Sequence, residues 1–158
     1  MAEYIPSPRE WVRDQVELYE SSGGKQGTTL RDTGLPVVIV THIGRKTGAV
    51  RKTPLMRVVA DDGTYALVGS KGGAPEHPTW YYNLREQREV TIRDGERVFR
   101  ARIHEVTDPA ERARLWAAAV QAYPPYADYQ QRTSRQIPVF AAAPLQDQAR
   151  WGARIGCS

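Results

Sequence analysis

The chain has the size of one domain, and its composition excludes several kinds of protein. Its 158 residues have a mass of 17.8 kDa, with 41% hydrophobic and 25% charged residues, a balance typical of a folded globular protein. Cys157 is the single cysteine, so an intramolecular disulfide and a cysteine-based zinc site are both excluded. The net charge of +4 is small for a protein that binds nucleic acid over a broad surface.

The positive charge is concentrated in one short stretch. Between Thr41 and Arg57 there are five basic residues and no acidic one, namely Arg45, Lys46, Arg51, Lys52 and Arg57. In the rest of the chain 17 basic residues face 18 acidic ones, a net charge of −1. The sequence therefore predicts one local anion-binding surface on a nearly neutral protein.

Neither a secretory signal nor a membrane span is predicted. Met1–Pro8 has no basic segment followed by an apolar one, and apolar runs such as Leu35–Val40 are far shorter than the roughly 20 residues that cross a bilayer. We therefore expect a cytoplasmic protein. Tyr4, Ile5 and Trp11 have two readings, contact with the inner face of the membrane or closure over a pocket, and both stay open. The 18 arginines against 4 lysines suggest a GC-rich genome.

The first 35 residues are predicted to form a helix and a linker. Ser7-Pro8-Arg9-Glu10 combines a capping serine, a proline suited to the first helical position and a glutamate, so we expect the helix to begin at Pro8. Trp11, Val12, Val16 and Tyr19 then mark one apolar side, and Gly23-Gly24 ends it. The polar stretch Lys25–Gly34 is predicted to wrap over the domain.

Three strands are predicted next. They cover Pro36–Ile43, Arg51–Ala60 and Thr64–Gly69, joined by a turn at Gly44–Gly48 and a hairpin at Asp61-Asp62-Gly63. Such short connections predict a meander, in which each strand pairs with the next.

The second half predicts a mixture of helices and strands. An irregular loop at Lys71–Pro78 precedes a helix over Thr79–Gln87, and a hairpin over Val90–Val106 turns at Asp94-Gly95. Asp108-Pro109 starts another helix, followed by a short helix over Ala127–Thr133 and a last strand over Ile137–Ala141. The fold class predicted is α+β, an antiparallel barrel of about six strands with flanking helices.

The common catalytic motifs are missing. The chain has no G-x-G-x-x-G, G-x-S-x-G or H-E-x-x-H pattern, and Gly44-Arg45-Lys46-Thr47 lacks the spacing of a phosphate-binding P-loop. His42, His77 and His104 lie far apart, so we expect no metal site and interpret each as a satisfied or solvated histidine. Redox chemistry in such a protein would come from a bound cofactor.

Three features predict where a cofactor would bind. The turn Gly44–Gly48 and the cations after it suit a phosphate or several carboxylates. Ser70-Lys71-Gly72-Gly73, followed by Trp80, Tyr81, Tyr82 and Asn83, offers close backbone approach, one cation and aromatic cover for a flat ring. Tyr123, Tyr126 and Tyr129, spaced by three, are predicted to form one wall of a pocket.

Read in chain order, these motifs resemble the deazaflavin-dependent nitroreductase family. The resemblance extends from about Pro36 to Pro144 and leaves 1–35 and the tail 145–158 outside. The residues that carry it are Gly44-Arg45-Lys46-Thr47-Gly48, Arg51-Lys52-Thr53-Pro54-Leu55, Gly69-Ser70-Lys71-Gly72-Gly73-Ala74-Pro75, His77-Pro78, Trp80-Tyr81, Asn83-Leu84, Tyr123-Pro124-Pro125-Tyr126 with Tyr129, and Ile137-Pro138.

The resemblance implies a split β-barrel, of the FMN-binding type, that binds coenzyme F420. This cofactor is an 8-hydroxy-5-deazaflavin with a phosphate and an oligoglutamate tail, and the reduced form, F420H2, would pass a hydride to a quinone or a similar small electrophile. By position, the implied tail-binding residues are Arg45, Lys46, Thr47, Arg51 and Lys52, and the residues that border the ring are Thr53, Pro54, Leu55, Met56, Gly69, Ser70 and Lys71, with Thr79, Trp80, Tyr81, Tyr82 and Asn83 on the other side.

The acceptor pocket is implied at Met56, Tyr123, Tyr126 and Tyr129, with Tyr126 also against the cofactor. Ser70, Tyr126 and Tyr129 are the candidates to donate a hydrogen bond or proton to the acceptor. The nitroimidazole-reducing members carry a tyrosine at the position of Met56, so the resemblance does not carry nitro-drug reduction over to this chain. Related split barrels often pair, which makes a homodimer an expectation.

Three alternatives remain at this point. An FMN-dependent oxidase or reductase would share the fold, although a single phosphate does not require so long a cationic stretch without acidic neighbours. A basic nucleic-acid-binding barrel is disfavoured because the stretch has no interleaved aromatic residues and the remaining chain is slightly acidic. A carrier that binds the cofactor without turnover is the third.

Overall fold

The structure is a computed structural model that describes residues 3–30 and 33–145. Cys157 and the predicted tail beyond Leu145 lie outside the described residues. The elements are α1 (Glu10–Ser21), β1 (Val37–Ile43), β2 (Val50–Met56), β3 (Tyr65–Val68), α2 (Thr79–Arg85), β4 (Glu89–Asp94), β5 (Arg97–Glu105), α3 (Pro109–Ala122), α4 (Pro125–Arg132) and β6 (Val139–Pro144), with a 3-10 turn at Lys71–Gly73.

The six strands form one antiparallel sheet that curls into a half-barrel. Their order is β2-β1-β4-β5-β6-β3, and every adjacent pair runs antiparallel. The α+β fold of six antiparallel strands with flanking helices is thus confirmed, as is the β4–β5 hairpin at Asp94-Gly95.

The predicted meander is wrong beyond its second strand, because β3 pairs with β6 and meets the chain after β2 only at the bridge between Val59 and Tyr65. Backbone hydrogen bonds join the opposite residues Gly44 and Ala49, and likewise Arg57 and Pro36. Opposite pairs with and without hydrogen bonds alternate along an antiparallel ladder, so Pro54 and its partner Ile39 form a pair without them. The nitrogen of Pro54 therefore faces away from β1, where it has no N–H to offer a third strand. β2 ends at Met56 instead of Ala60, and β2 and β3, the strands predicted to pair across Asp61-Asp62-Gly63, separate.

β1, β3 and most of β6 are buried on both faces, and their alternating side chains enter two separate cores. Along β6, Val139 and Ala141 face one core whereas Phe140 and Ala142 face the other. The first core lies against α1, α3 and α4, through Tyr19, Leu115 and Tyr126 among others. The second contains α2, so this short helix is fixed to the sheet by its own buried face.

The first helix begins two residues later than predicted. Glu10 is its first residue, and Arg9 at the N-cap position has no side-chain capping bond. The Ser7 hydroxyl instead accepts a hydrogen bond from the Arg9 N–H at 3.2 Å, a local turn that keeps Arg9 extended and delays the helix. The end at Ser21, before Gly23-Gly24, agrees with the prediction.

The N-terminal segment also covers the open edge of β2. The N–H of Ile5 donates to the carbonyl of Val50, and the N–H of Val50 donates to the carbonyl of Glu3. No helix in the described part of the chain is long and apolar enough to cross a membrane.

Candidate active site

A cleft opens where β2 and β3 separate, and its volume is about 650 Å³, within the usual range for ligand sites. The resemblance gives a role at the site to twenty residues, and fourteen of them line this cleft. They are Arg51, Lys52, Thr53, Pro54, Leu55, Met56, Ser70, Lys71, Thr79, Trp80, Asn83, Tyr123, Tyr126 and Tyr129. Residues 50–56 lie on an edge strand and residues 70–72 follow β3. The cations of β2, the loop at Ser70 and the three tyrosines therefore meet at this cleft, and the turn Gly44–Gly48 does not line it.

Six of the named residues do not line the cleft. They are Arg45, Lys46, Thr47, Gly69, Tyr81 and Tyr82. The first three form the exposed turn after β1, which is attached to α2 because the Arg45 N–H donates to Asn83 Oδ1 at 2.9 Å. The Arg45 guanidinium lies 5.4 Å from the centre of the Tyr82 ring.

Tyr81 is buried on the side of α2 that packs on the sheet. Its hydroxyl donates to Glu105 Oε2 at 2.7 Å, and burial together with this carboxylate raises the pKa of Tyr81 to about 12. Tyr81 thus attaches α2 to β5, and its neighbours Trp80 and Asn83 face the cleft.

The N-terminal segment lines one side of the cleft. Ser7, Pro8, Arg9, Trp11 and Val12 contribute to this side. The two readings of Trp11 were a membrane contact and closure over a pocket, and its position on the cleft wall agrees with closure.

The expectation that no acidic residue offsets the cationic stretch is wrong for two of its five cations. Glu20 of α1 forms an ion pair with Lys52, and Asp94 accepts a bidentate hydrogen bond from Arg57 at 2.9 Å. These acids are distant in sequence, so a local charge count could not find them. In the described part of the chain, no carboxylate lies within 4.0 Å of Arg45, Lys46 or Arg51.

The three tyrosines form one wall. The ring centres of Tyr123 and Tyr126 lie 5.0 Å apart, and the hydroxyls of Tyr123 and Tyr129 share a hydrogen bond of 3.0 Å that raises the pKa of Tyr123 to about 12. Tyr126 is 4% exposed, and burial raises its pKa. Tyr126 lines the cleft, and its hydroxyl, which the raised pKa keeps protonated, has no hydrogen-bond partner within residues 3–30 and 33–145.

The loop that carries Ser70 and Lys71 is held from behind by Arg135, a residue that the sequence patterns missed. Its guanidinium donates to the carbonyls of Ser70, Ala74 and Gly69 at 2.8, 2.9 and 3.2 Å. Gly73 has a φ of +83°, and a Cβ there would lie 2.8 Å from the Tyr129 carbonyl oxygen, so a glycine is needed for this close approach.

Replacing Arg135 by Lys should lower the free energy of unfolding by about 2 kcal/mol, because an ammonium group cannot reach all three carbonyls in the planar geometry of a guanidinium. Urea denaturation measures the change. Arg132→Lys is the matched control, since Arg132 lies over the exposed side of Tyr129. Equal stability of the two variants would contradict this role.

His42 is a further buried polar residue that borders the cleft. It is 3% exposed, Nε2 lies 3.0 Å from Thr53 Oγ1, and Nδ1 lies 3.4 Å from Asn83 Nδ2. Burial and the neighbouring charge of Arg51 lower the pKa of His42 to about 4, so the imidazole is neutral near pH 7. No group of three or more His, Cys, Asp or Glu side chains suited to a metal ion occurs among the residues that the structure describes.

Comparison with known proteins identifies the family. The family model for F420H(2)-dependent quinone reductase matches residues 11–144. The F420H(2)-dependent quinone reductase Rv1261c of Mycobacterium tuberculosis is 37% identical over 126 residues, which cover 77% of this chain and 82% of that protein.

Two solved structures are similar in both sequence and fold. One, described as an F420-H2 dependent reductase (FDR-A), is 46% identical with a TM-score of 0.63, over 68% of this chain and 93% of the other. Another, described as a domain-swapped dimer, is 44% identical with a TM-score of 0.65, over 86% of this chain and 99% of the other. The chain therefore belongs to the F420H(2)-dependent quinone reductase family, a family of oxidoreductases whose cofactor is coenzyme F420.

Proposed function

We propose that the cleft binds F420H2 and that the protein passes a hydride from it to a quinone or a similar small electrophile. The single observation that carries the proposal is the composition of the cleft. Cations, aromatic and aliphatic side chains, and Tyr126, whose hydroxyl has no hydrogen-bond partner in the described part of the chain, line it together. The names of the family and of the mycobacterial relative support the same activity.

The chemistry of the lining fits the three parts of this cofactor. Arg51 offers positive charge to the phosphate and glutamates, whereas Lys52 and Lys71 would exchange their ion pairs with Glu20 and Glu76 for the ligand. Arg45, Lys46 and Thr47 would extend this surface outside the cleft. Thr53, Pro54, Leu55, Met56, Ser70 and Lys71 would border the ring, with Thr79, Trp80 and Asn83 on its other side. Gly69, which does not line the cleft, would act through the loop that Arg135 holds. Tyr81 would act by holding α2 in place, and Tyr82 by supporting Arg45.

When bound, F420H2 supplies the two electrons and the proton of a hydride. The protein residues would orient the ring and the acceptor and exclude water, which the apolar side chains of Met56, Leu55 and Trp80 favour. A quinone oxygen gains negative charge as the hydride arrives, so a neutral O–H donor beside it stabilises the transition state. Tyr126 is that donor in our proposal, with Ser70 and Tyr129 as the neighbouring hydroxyls.

Replacing Tyr126 by Phe should lower turnover with a quinone on the order of tenfold, because the ring stays and only the donor is lost. The affinity for F420 should change little. Steady-state kinetics with menadione, together with cofactor titration, separate the two effects. Tyr4→Phe is the control, since Tyr4 lies outside the cleft. Full turnover by Tyr126→Phe would assign the donor role to Ser70, Tyr129 or water.

Replacing Glu20 by Gln should strengthen F420 binding about three- to tenfold. The carboxylate of Glu20 pairs with Lys52 and lies 3.7 Å from Arg93, so it competes with an anionic ligand for Lys52. Fluorescence titration measures the change, and Glu89→Gln, which removes an exposed partner of Arg100, is the control. Weaker binding by Glu20→Gln would show that Glu20 positions Lys52 for the ligand.

Titration with F420 and with FMN tests the cofactor assignment. We expect saturable binding of F420 that tightens as the glutamate tail lengthens, and weaker binding of FMN. Protein that is purified yellow with flavin, and that ignores tail length, would indicate an FMN-dependent enzyme. Steeply salt-dependent oligonucleotide binding would indicate the nucleic-acid alternative.

We also propose that the protein forms a homodimer. The 44% identical structure described as a domain-swapped dimer supports this proposal, and it covers most of the chain. Light scattering coupled to size-exclusion chromatography tests it. A mass near 17.8 kDa would contradict a dimer.

A further inference from the structure

We infer that His42 is a positioning residue that fixes the Thr53 hydroxyl as a hydrogen-bond donor toward the cleft. With its hydroxyl held in this way, Thr53 would recognise an acceptor oxygen or nitrogen on the bound ring. The inference deepens the proposed function, because it rests on the cleft being the cofactor site. It assigns a role to a residue that contributes no charge to that site.

The argument begins at Asn83, whose orientation is fixed by the backbone. The Arg45 N–H can only donate, so the atom of the Asn83 amide that lies 2.9 Å from it is the oxygen. The amide nitrogen of Asn83 therefore faces His42, 3.4 Å from Nδ1. Since an amide NH2 group has only hydrogens to offer, Nδ1 of His42 accepts this bond and carries no proton.

The proton of the neutral imidazole is consequently on Nε2. That nitrogen lies 3.0 Å from Thr53 Oγ1, so His42 donates and the threonine oxygen accepts. The hydrogen of the Thr53 hydroxyl then has to point elsewhere. In the described part of the chain it has no other acceptor, and Thr53 lines the cleft, so the hydroxyl is free to donate to a ligand.

The opposite tautomer would have opposite consequences. A proton on Nδ1 would face the Asn83 NH2 group, and two donors would oppose each other in a buried place. Thr53 would then donate to His42 and would offer a lone pair to the ligand. The direction of the backbone hydrogen bond from Arg45 to Asn83 therefore determines, through His42, that the Thr53 hydroxyl donates toward the cleft.

The wall that results offers donors. Arg51, which precedes Thr53 by two residues and lies on the same side of β2, also carries only donors in its side chain. Such a surface selects ligands with carbonyl or anionic edges and disfavours ligands with N–H groups at the same place. Thr53 would supply the directional part of this selection, because its hydroxyl is held by a buried neighbour.

The first test measures the tautomer without any cofactor. Long-range proton–nitrogen NMR spectra of histidine-labelled protein near pH 7 should show His42 with its proton on Nε2. A proton on Nδ1, or a doubly protonated ring, would overturn the inference whatever the protein binds.

The second test is a double-mutant cycle for F420 binding. Thr53→Val and His42→Leu should each weaken binding about 5- to 20-fold, and the double variant should be no weaker than Thr53→Val alone. His42→Gln, whose amide nitrogen can replace Nε2, and Thr53→Ser should each restore most of the affinity. His104→Gln is the control, since His104 is exposed and bonds Glu111.

The outcomes separate this inference from the proposed function. Wild-type protein that does not bind F420 would refute both the function and the ligand assigned to Thr53, and the NMR result would still decide the tautomer. Tight wild-type binding that His42→Leu and Thr53→Val leave unchanged, or additive losses in the double variant, would refute the inference alone.

Discussion

Replacing Arg51 by Glu should weaken F420 binding on the order of 100-fold. Arg51 lines the cleft, and no acidic side chain in the described part of the chain lies within ion-pair distance of it, so its charge is available to the phosphate or the glutamates. Reversal turns an attraction into a repulsion at a partly buried position. Fluorescence titration at low and high salt measures the effect, and the difference between wild type and variant should shrink as salt rises.

The matched control is Arg102→Glu, which reverses an exposed arginine on β5, away from the cleft. Lys46→Glu tests the turn in the same way and should cause a smaller loss, because Lys46 is exposed and lies outside the cleft. Unchanged affinity in both Arg51→Glu and Lys46→Glu would refute the assignment of the cofactor tail to this surface.

Acidification should destabilise the protein through His42 by about 3 kcal/mol between pH 6.5 and pH 4. Burial lowers the pKa of His42 from 6.5 to about 4, so within this range the unfolded chain binds a proton that the folded protein does not. The stabilisation by neutral His42 is therefore complete above pH 6.5 and is lost as the pH falls to 4. Arg51 is the charged group that adds to the effect, while Thr53 and Asn83 are uncharged.

Urea denaturation of wild type and His42→Gln at several pH values isolates this contribution. His77, whose pKa is also lowered by burial and by Arg135, is present in both proteins, so its effect cancels in the difference. His42→Gln should gain stability relative to wild type as the pH falls. Parallel pH profiles would show that the folded protein accommodates a charged His42.

Local patterns predicted most elements of the fold and failed where a distant residue decides the outcome. Asp94-Gly95 forms the tight turn between β4 and β5, and Asp108 caps α3 by accepting the Glu111 N–H at 2.9 Å, both as expected. The pairing of β3 with β6 depends on strands more than 70 residues apart and on an edge that Pro54 leaves without a donor. No short window of sequence contains that information.

The candidate site was likewise predicted where its motifs are local and missed where a distant residue acts. The cationic turn, the Ser70 loop and the tyrosines were recognised because each is a compact motif. The expectation that Arg51, Lys52, the Ser70 loop and the tyrosines meet at one site came from the family resemblance and not from spacing, and the turn itself lies outside the cleft. Arg135 was missed because it acts on carbonyls some 60 residues away, and Glu20 because an acid on α1 neutralises Lys52 on β2. His42 was interpreted only as a satisfied or solvated histidine, although a histidine in a mostly apolar strand beside the turn is a visible signal.

The most direct test of the central claim follows cofactor oxidation in a single reaction. Protein mixed with F420H2 and menadione should restore the absorbance of oxidised F420 at a rate proportional to enzyme concentration, and FMNH2 should not replace F420H2. Arg51→Glu should lose this rate at low cofactor concentration and recover part of it at high concentration. Tight binding of F420H2 with no enzyme-dependent oxidation by menadione or other quinones would contradict the account and would leave a cofactor carrier as the function.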